Sequence, residues 1–241
     1  MNIIIPMAGR GSRFTGEEYL FPKPIIDVLG KPMIVRAVES LGLDGKYHFV
    51  CRTNAFLEET KEAIKSIGVE ASIIVIDEVT DGPACTALLV ESTLKNESEE
   101  LIIANCDQIM EWSAATFLLN ARQYDGCLVT YHSDTDKNSY CEVSPGGKVI
   151  RAKEKEVISN ISSNGIHYWK RWSSFISSAN SMILANDRAP NGEFYIAPTY
   201  NYMISAGEDV GIYHIPNQFH HAVGVPFDLE RYVEYATRKT Q

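Results

Sequence analysis

At 241 residues the chain is long enough for one sizeable core, and its composition, 45% hydrophobic and 22% charged, is that of an ordinary globular protein. A net charge of −9 disfavours a nucleic-acid-binding surface. Its distribution is uneven: residues 1–36 hold five basic and three acidic side chains, a balance of +2, which leaves −11 for the remainder and suits a small anionic ligand better than a polyanion. No apolar run approaches the ~18 residues of a membrane span, and residues 3–7 are too short for a signal-peptide core and lack a preceding basic residue. A cytoplasmic protein with no membrane partner is therefore expected. The five cysteines are widely spaced without a CxxC pair, which argues against a disulfide framework or a zinc site and for small buried thiols.

Ile3-Ile4-Ile5 is a β-branched run that suits a buried strand. It breaks at Pro6 into a loop carrying Gly9, Gly11 and Gly16, with Arg10, Arg13 and Lys23 in or just after it. Glycines allow close backbone approach, successive N–H groups can cradle an anion, and arginine and lysine supply counter-charge. The loop reads as a polyphosphate cradle at the carboxyl end of the first strand. The dinucleotide pattern GxGxxG fails because position 14 is Phe, and no GK[ST] follows to make a Walker A loop.

Further along, Pro32 opens a helix over 33–41, and residues 47–51 form a short strand. Asn54 is a candidate N-cap for a helix with Glu58 and Glu59 in its first turns and Leu57, Ile64 and Ile67 on its apolar side. A β-branched strand over 69–76 is followed by Asp81-Gly82-Pro83 and a helix over 84–94. A buried strand over 101–104 ends at Asn105-Cys106-Asp107, and a helix covers 113–121. This alternation predicts an α/β, Rossmann-like open mixed sheet, largely parallel and flanked by helices. The second half changes character, with strands over 126–132, 140–144, 148–153 and 165–169 and a Pro145-Gly146-Gly147 turn. Helices over 173–184 and 198–206, a strand over 210–215 and a helix over 228–238 complete it. No internal repeat or domain boundary is visible, so a single domain is expected, with 1–125 as its first half and 126–241 as its second.

Asp107 follows the strand over 101–104, at the carboxyl end of the sheet where open α/β folds bind ligands. A hard carboxylate there suits Mg²⁺, which takes one or two protein carboxylates plus substrate phosphates; the plainer reading is a turn or capping aspartate. Glu154 and Lys155, within the run RAKEKE, read alone as solvated strand charges. Gly165 reads as a bulge glycine, Glu193 as a loop charge after the Asn191-Gly192 turn. The Asp134-Thr135-Asp136 triplet matches the DxD pattern of metal-dependent glycosyltransferases but lies in a polar turn. Neither a GxSxG elbow nor an HExxH zinc motif is present.

Taken in order, these motifs resemble the sugar-1-phosphate nucleotidyltransferases, or nucleotide-sugar pyrophosphorylases. Residues 6–13 resemble their LAAGxGTR signature, Phe21-Pro22-Lys23-Pro24 their PK element, and residues 30–34 their GKPM segment. Asp81-Gly82-Pro83-Ala84 resembles a nucleobase-side loop, Asn105-Cys106-Asp107 the N-x-D metal motif, Glu154-Lys155 the EKP, Asn164-Gly165-Ile166 the sugar loop, Gly192-Glu193-Phe194 the GELE, and Gly224-Val225-Pro226 the late Gly-Thr-Pro. The resemblance spans nearly the whole chain and is specific to the superfamily rather than to one substrate. It implies condensation of an NTP with a sugar 1-phosphate to give an NDP-sugar and pyrophosphate, with Mg²⁺, in the supply of surface-polysaccharide biosynthesis.

By the same resemblance, Asp107 holds the metal, Arg13 binds the β- and γ-phosphates, and Lys23 bridges phosphates near the transfer point. The resemblance makes 1–125 the nucleotide-binding half and 126–241 the sugar-phosphate-binding half; Ala8, Gly9, Gly11, Ser12 and Gly82 meet the nucleotide. Lys155 holds the sugar phosphate, Glu154 and Glu193 accept from sugar hydroxyls, and Gly165 admits the sugar. Two positions depart from the pattern. The usual second metal carboxylate is replaced by Ala222, after His220-His221; Asp228 or His221 could complete the site, or one carboxylate suffices. The two histidines are adjacent, so one is expected buried and the other exposed. Where uridylyl- and thymidylyl-transferring members tend to have glutamine stands Asp77, beside Glu78; a carboxylate accepts but does not donate, which suits CTP or GTP, while the plain reading is a strand-end aspartate facing water. Alternatives are cytidylyl transfer to a non-sugar phosphate such as phosphocholine, a non-catalytic nucleotide-sugar-binding protein, and a glycosyltransferase using Asp134 and Asp136. A homo-oligomer is compatible with the sequence. Because the chain ends soon after its last helix, no appended acyltransferase domain is expected.

Overall fold

The computed structural model describes residues 1–9, 11, 13, 14 and 20–239. The first half runs β1 (Asn2–Pro6), the small hairpin β2 (Asp27–Val28) and β3 (Lys31–Pro32), α1 (Met33–Leu41), β4 (Lys46–Arg52), α2 (Leu57–Ser66), β5 (Ala71–Ile76), α3 (Pro83–Leu88), β6 (Leu101–Ala104), β7 (Gln108–Met110) and α4 (Ala114–Ala121). The second half runs β8 (Gly126–His132), β9 (Ser139–Val143), β10 (Val149–Glu154), β11 (Ile161–Trp169), α5 (Trp172–Leu184), α6 (Thr199–Ser205), β12 (Val210–His214), β13 (His220–Ala222) and α7 (Pro226–Lys239).

Among the described residues, nine strands form one sheet. Strands β5, β4, β1 and β6 lie side by side and parallel. β11 runs antiparallel between β6 and β8, and β12 closes the edge parallel to β8. β9 and β10 attach to the start of β11. The two expected halves therefore share one sheet, because β11 belongs to the second half and pairs with β6 of the first. This is the expected mixed, largely parallel architecture.

β1 sits at the centre for a simple reason. Its side chains alternate between faces, and both faces are apolar. Ile3 and Ile5 join a core with Phe49, Val38 and Phe117 on one side, while Ile4 joins Val50, Ile103, Phe175 and Tyr200 on the other. All three isoleucines are fully buried, each contributing about 1.5–3 kcal/mol of transfer free energy. A third, smaller cluster of Phe14, Ile26, Val28, Met33, Ile109, Val223 and Leu229 ties the first loop, β7 and α7 together. That cluster fixes the neighbourhood of Lys23 and Asp107.

Several expectations shift in detail. Asn54 is no N-cap: its Oδ1 accepts from the Phe56 N–H at 2.8 Å, an Asx turn ahead of a helix that starts at Leu57. Ser113 does cap α4, accepting from the Thr116 N–H at 3.2 Å. The helix over 84–94 stops at Leu88 and resumes only as one 3₁₀ turn over Glu91–Thr93, where the Thr93 hydroxyl donates to the Val90 carbonyl. β11 begins four residues earlier than the sequence suggested, because Ser162, Ser163 and Asn164 are buried despite their polarity. The short strands β7 and β13, which pair with each other, were not expected. The cysteines match expectation: Cys51, Cys106, Cys127 and Cys141 are buried free thiols, and Cys85 is half-buried. No helix among the described residues is long and apolar enough to cross a membrane.

Candidate active site

Two cavities open at the carboxyl ends of β1 and β6, and they share Pro6, Asn105 and Asp107 as a common wall. The first, of about 570 Å³, is bounded by Gly9 and Gly11 of the glycine loop, Lys23, Arg52 and Phe56. The second, of about 1240 Å³, is bounded by Arg13, Gln108, Glu154, Gly165, His167 and Tyr195. Asp107 thus stands where two ligands would meet.

Lys23 is set in place by its proline neighbours. A 3₁₀ turn over Lys23–Ile25 follows extended Pro22, and the Ile26 N–H donates back to the Lys23 carbonyl at 3.2 Å. The Lys23 Nζ donates to Asp107 Oδ2 in a largely buried ion pair. Burial opposes the Lys23 charge, but adjacent Asp107 outweighs that penalty and holds the ammonium above its ordinary range. Burial, and then Asp107, push the Cys106 thiol between them up to about 11, so it stays protonated and inert.

Asp107 is backed by the late glycine motif. The Val223 N–H donates to the Asp107 carbonyl at 2.9 Å. A side chain at Gly224 would run into Asp107 Oδ2 and come within 3.4 Å of Lys23 Nζ. The late motif therefore provides space for the carboxylate rather than a second carboxylate. Ala222 lies opposite Gln108 in the β13–β7 pair. Among the described residues no three His, Cys, Asp or Glu side chains gather as metal ligands, and Asp228 and His221 border the second cavity along with Asp107. The donor set, one carboxylate open to two cavities, fits Mg²⁺ held mainly by phosphate oxygens. Asp134 and Asp136 are exposed in the β8–β9 connection and border neither cavity.

In the second cavity Glu154 is buried and accepts from the Ser139 hydroxyl. Burial raises its pKa to about 7, against the pull of Ser139 and Lys155, and Glu193 adds to the rise. Because the folded value lies above the ordinary 4.5, the stabilisation from protonated Glu154 is complete below about pH 4.5 and is lost as pH rises through about 7. Glu154→Gln should therefore raise the melting temperature by a few degrees at pH 8 and hardly at all at pH 4.5. That corresponds to roughly 1–3 kcal/mol, and equal shifts at both pH values would refute the buried-carboxyl account.

Gly165 lies where β11 slips register against β8, with φ of +87°. The Asn105 amide packs where a side chain would stand, its Cγ at 2.7 Å from that position. Gly165 is both a bulge glycine and a seat for Asn105, and it borders the second cavity. Lys155 has a left-handed φ of +56°, and its Nζ donates to the Tyr195 hydroxyl at 2.6 Å. Tyr195, not Lys155, borders the cavity.

Other expected residues are placed differently. Ala8 is buried beneath the loop, 2% exposed, and borders neither cavity. Asp77 is exposed, accepts from the Thr53 hydroxyl at 2.8 Å, and lies outside both cavities, which is the plain reading of it. Gly82 also lies outside them. It packs on the Phe194 backbone, with the Phe194 N–H donating to the Asp81 carbonyl at 2.8 Å and the Ala84 N–H to the Phe194 carbonyl at 3.0 Å. Glu193 accepts from Asn191 at 2.8 Å and borders neither cavity. Ser12, Arg10 and Gly16 lie outside the described residues. Against expectation, His220 and His221 are both half-buried and both border the second cavity, because β13 runs along its wall. His220 lies tilted against Tyr131 with ring centroids 4.6 Å apart, and His221 meets Tyr235 at the same distance.

Two residues that sequence reasoning missed also border the second cavity. Gln108 is 2% exposed and its Nε2 finds no hydrogen-bond partner among the described residues. His167 is 4% exposed, with Nδ1 likewise unpartnered. Burial lowers His167 to about 3, so its imidazole is neutral. In the first cavity the buried Arg52 Nε has no partner either. Unsatisfied buried polar atoms are costly and uncommon, so these atoms mark places where a ligand would supply hydrogen-bonding partners. One signal was available for His167, a polar residue between Ile166 and Tyr168-Trp169 in an otherwise apolar run; Gln108, directly after Asp107, carried none.

No family model matches the chain. It is similar to the mannose-1-phosphate guanyltransferase of Schizosaccharomyces pombe, at 29% identity over 118 residues, which is 48% of this chain and 32% of that protein. The chain thus spans about a third of the length of the curated relatives it matches. Among solved structures, the nucleoside-diphosphate-sugar pyrophosphorylase from Vibrio cholerae superposes with a TM-score of 0.87 at 24% identity, covering 96% of this chain and 99% of that one. The inositol-1-phosphate CTP transferase from T. maritima superposes with a TM-score of 0.74 at 15% identity, covering 97% and 93%.

Proposed function

We propose that this chain is a sugar-1-phosphate nucleotidyltransferase, which joins an NTP to a sugar 1-phosphate and releases pyrophosphate. The observation that carries the reading is the pair of cavities meeting at Asp107, one floored by the glycine loop and Lys23, the other walled by basic side chains such as Arg13 together with hydrogen-bonding groups such as Gln108 and His167. The first suits the nucleotide, where Gly9 is exposed and nothing stands within 4 Å of where its side chain would be. The second suits the sugar phosphate: neutral His167 and the amide of Gln108 match hydroxyl groups, which both donate and accept.

A phosphate oxygen of the sugar 1-phosphate attacks the α-phosphorus in line, the bond to the β-phosphate oxygen breaks, and pyrophosphate leaves. The attacking oxygen is already anionic, so no general base is needed, and positioning and charge neutralisation carry the rate. Lys23, shifting from Asp107 to the phosphates, neutralises charge near the transfer point. Arg13 borders the second cavity and would meet the departing pyrophosphate across the wall the cavities share, while Lys155, held by Tyr195 at the edge of that cavity, would meet the incoming phosphate. Mg²⁺, held at Asp107 with phosphate oxygens, would supply further neutralisation at the α-phosphate.

Asp77, which suggested CTP or GTP, stands outside both cavities, so those two nucleotides are only the first to test. Cytoplasmic supply of surface-polysaccharide synthesis is the setting such a product fits.

The test is pyrophosphate release from a panel of NTPs and sugar 1-phosphates with Mg²⁺ and with EDTA. Release that requires a sugar phosphate and stops in EDTA supports the reading; binding without release points to a nucleotide-sugar-binding protein, and release only with phosphocholine points to the non-sugar acceptor. Arg13→Ala should lower kcat by roughly 10²–10³-fold. Its melting temperature should stay within a degree or two, because Arg13 is exposed and makes no ion pair among the described residues. Undiminished kcat in this variant would remove Arg13 from the machinery.

A further inference from the structure

We infer that Tyr195 is a positioning residue for Lys155, fixing its ammonium beside the second cavity through a neutral contact that leaves the charge free for the acceptor phosphate. The inference rests on the functional reading above, in which Lys155 meets that phosphate.

The two lysines near the site are held in opposite ways. Lys23 is ion-paired with Asp107, so its charge is cancelled until the carboxylate is otherwise engaged. Lys155 makes no ion pair among the described residues. Its Nζ donates to the Tyr195 hydroxyl at 2.6 Å and lies 4.7 Å from the centre of the Tyr195 ring. Both contacts attract a cation without neutralising it. A phosphate can then take the ammonium without first breaking an ion pair.

The phenol is itself held in place. Asn191 Nδ2 donates to the Tyr195 hydroxyl at 3.0 Å and to Glu193 at 2.8 Å, so the turn over 191–193 braces the ring. Burial, and then hydrogen bonding with Glu193, raise the Tyr195 pKa, so the phenol stays neutral at any working pH. From the other side, the Lys155 N–H donates to the Asn138 carbonyl at 2.9 Å, and the left-handed backbone at Lys155 turns its side chain out of the β10 alternation. Such a conformation is costly for a residue with a side chain. Glu193, which borders neither cavity, gains a role here as part of the brace.

Steady-state kinetics of pyrophosphate release, with NTP saturating and the sugar 1-phosphate varied, test the inference. Tyr195→Phe keeps the ring and loses the hydroxyl; the acceptor KM should rise roughly 3–10-fold, with kcat and the NTP KM unchanged within twofold. Tyr195→Glu should raise the acceptor KM further, because a carboxylate would cancel the ammonium. In a Lys155→Met background, Tyr195→Phe should add no further loss in kcat/KM. An unchanged acceptor KM in Tyr195→Phe, or the same loss with and without Lys155, overturns the inference while leaving the functional reading intact. Absence of release from every NTP and sugar phosphate pair in the unaltered protein overturns both.

Discussion

Replacing Asp107 with alanine should abolish pyrophosphate release, by roughly 10³-fold or more, while the protein remains folded. The two halves of that outcome have separate causes. The structural bond at this residue runs through its main chain, from the Val223 N–H to the Asp107 carbonyl at 2.9 Å, and alanine retains it. The functional part runs through the carboxylate, among the described residues the one acidic group on the wall shared by both cavities. Its loss leaves Lys23 unpaired, but Lys23 keeps 18% side-chain exposure and can be hydrated. A drop of only a few degrees in melting temperature is therefore expected, with NTP binding measured by calorimetry weakened rather than lost. Asp107→Asn, which keeps the shape and removes the charge, should be nearly as inactive. Full turnover in either variant would sink the assignment of this site.

The second large effect should come from Gly224→Ala, a residue with no chemistry of its own. Its backbone is not in the left-handed region, so alanine brings no conformational strain. The difficulty is steric and local: the added methyl would occupy space held by Asp107 Oδ2, with Asp107 Cγ at 3.2 Å and Lys23 Nζ at 3.4 Å. Both groups must move, and displacement of a catalytic group by about 1 Å can cost 10²-fold. A loss of roughly 10² in kcat with a near-native melting temperature is expected. The contrast is Gly9→Ala, where nothing lies within 4 Å of the new atom in the protein itself; folding should be untouched and any loss should appear in NTP affinity. Equal activity of Gly224→Ala and the parent protein would show that Asp107 and Lys23 tolerate movement, contrary to a preorganised site.

Much of this architecture was legible in the sequence because its signals are local. Three consecutive isoleucines bracketed by polar and turn residues specify a strand buried on both faces, and β1 is that strand. The apolar spacing in α1 and α5 fixed those helices, and Asp107 could be placed at a strand end because the strand before it is an unbroken apolar run. β7 and β13 were not legible. Three residues carry no periodicity, and each strand exists only because the other lies beside it, bringing His220 opposite Met110 and Ala222 opposite Gln108. Ser162 to Asn164 misled for the converse reason, since their polarity signals a loop and only neighbouring strands satisfy it.

The site divides along the same line. The sequence by itself determined the glycine loop, the position of Asp107 after β6 and the presence of Lys23 and Lys155, because each rests on residue type and immediate neighbours. Only the tertiary structure decided that Asp107 is shared by two cavities, that Gly224 is there to make room for it, that Asp77 and Gly82 lie outside both, and that Gln108, His167 and Tyr195 border the second. Those facts depend on which strands meet and in what register. A cavity wall is assembled from residues distant in sequence, and pairing between distant segments is set by burial of the whole sheet rather than by any local pattern.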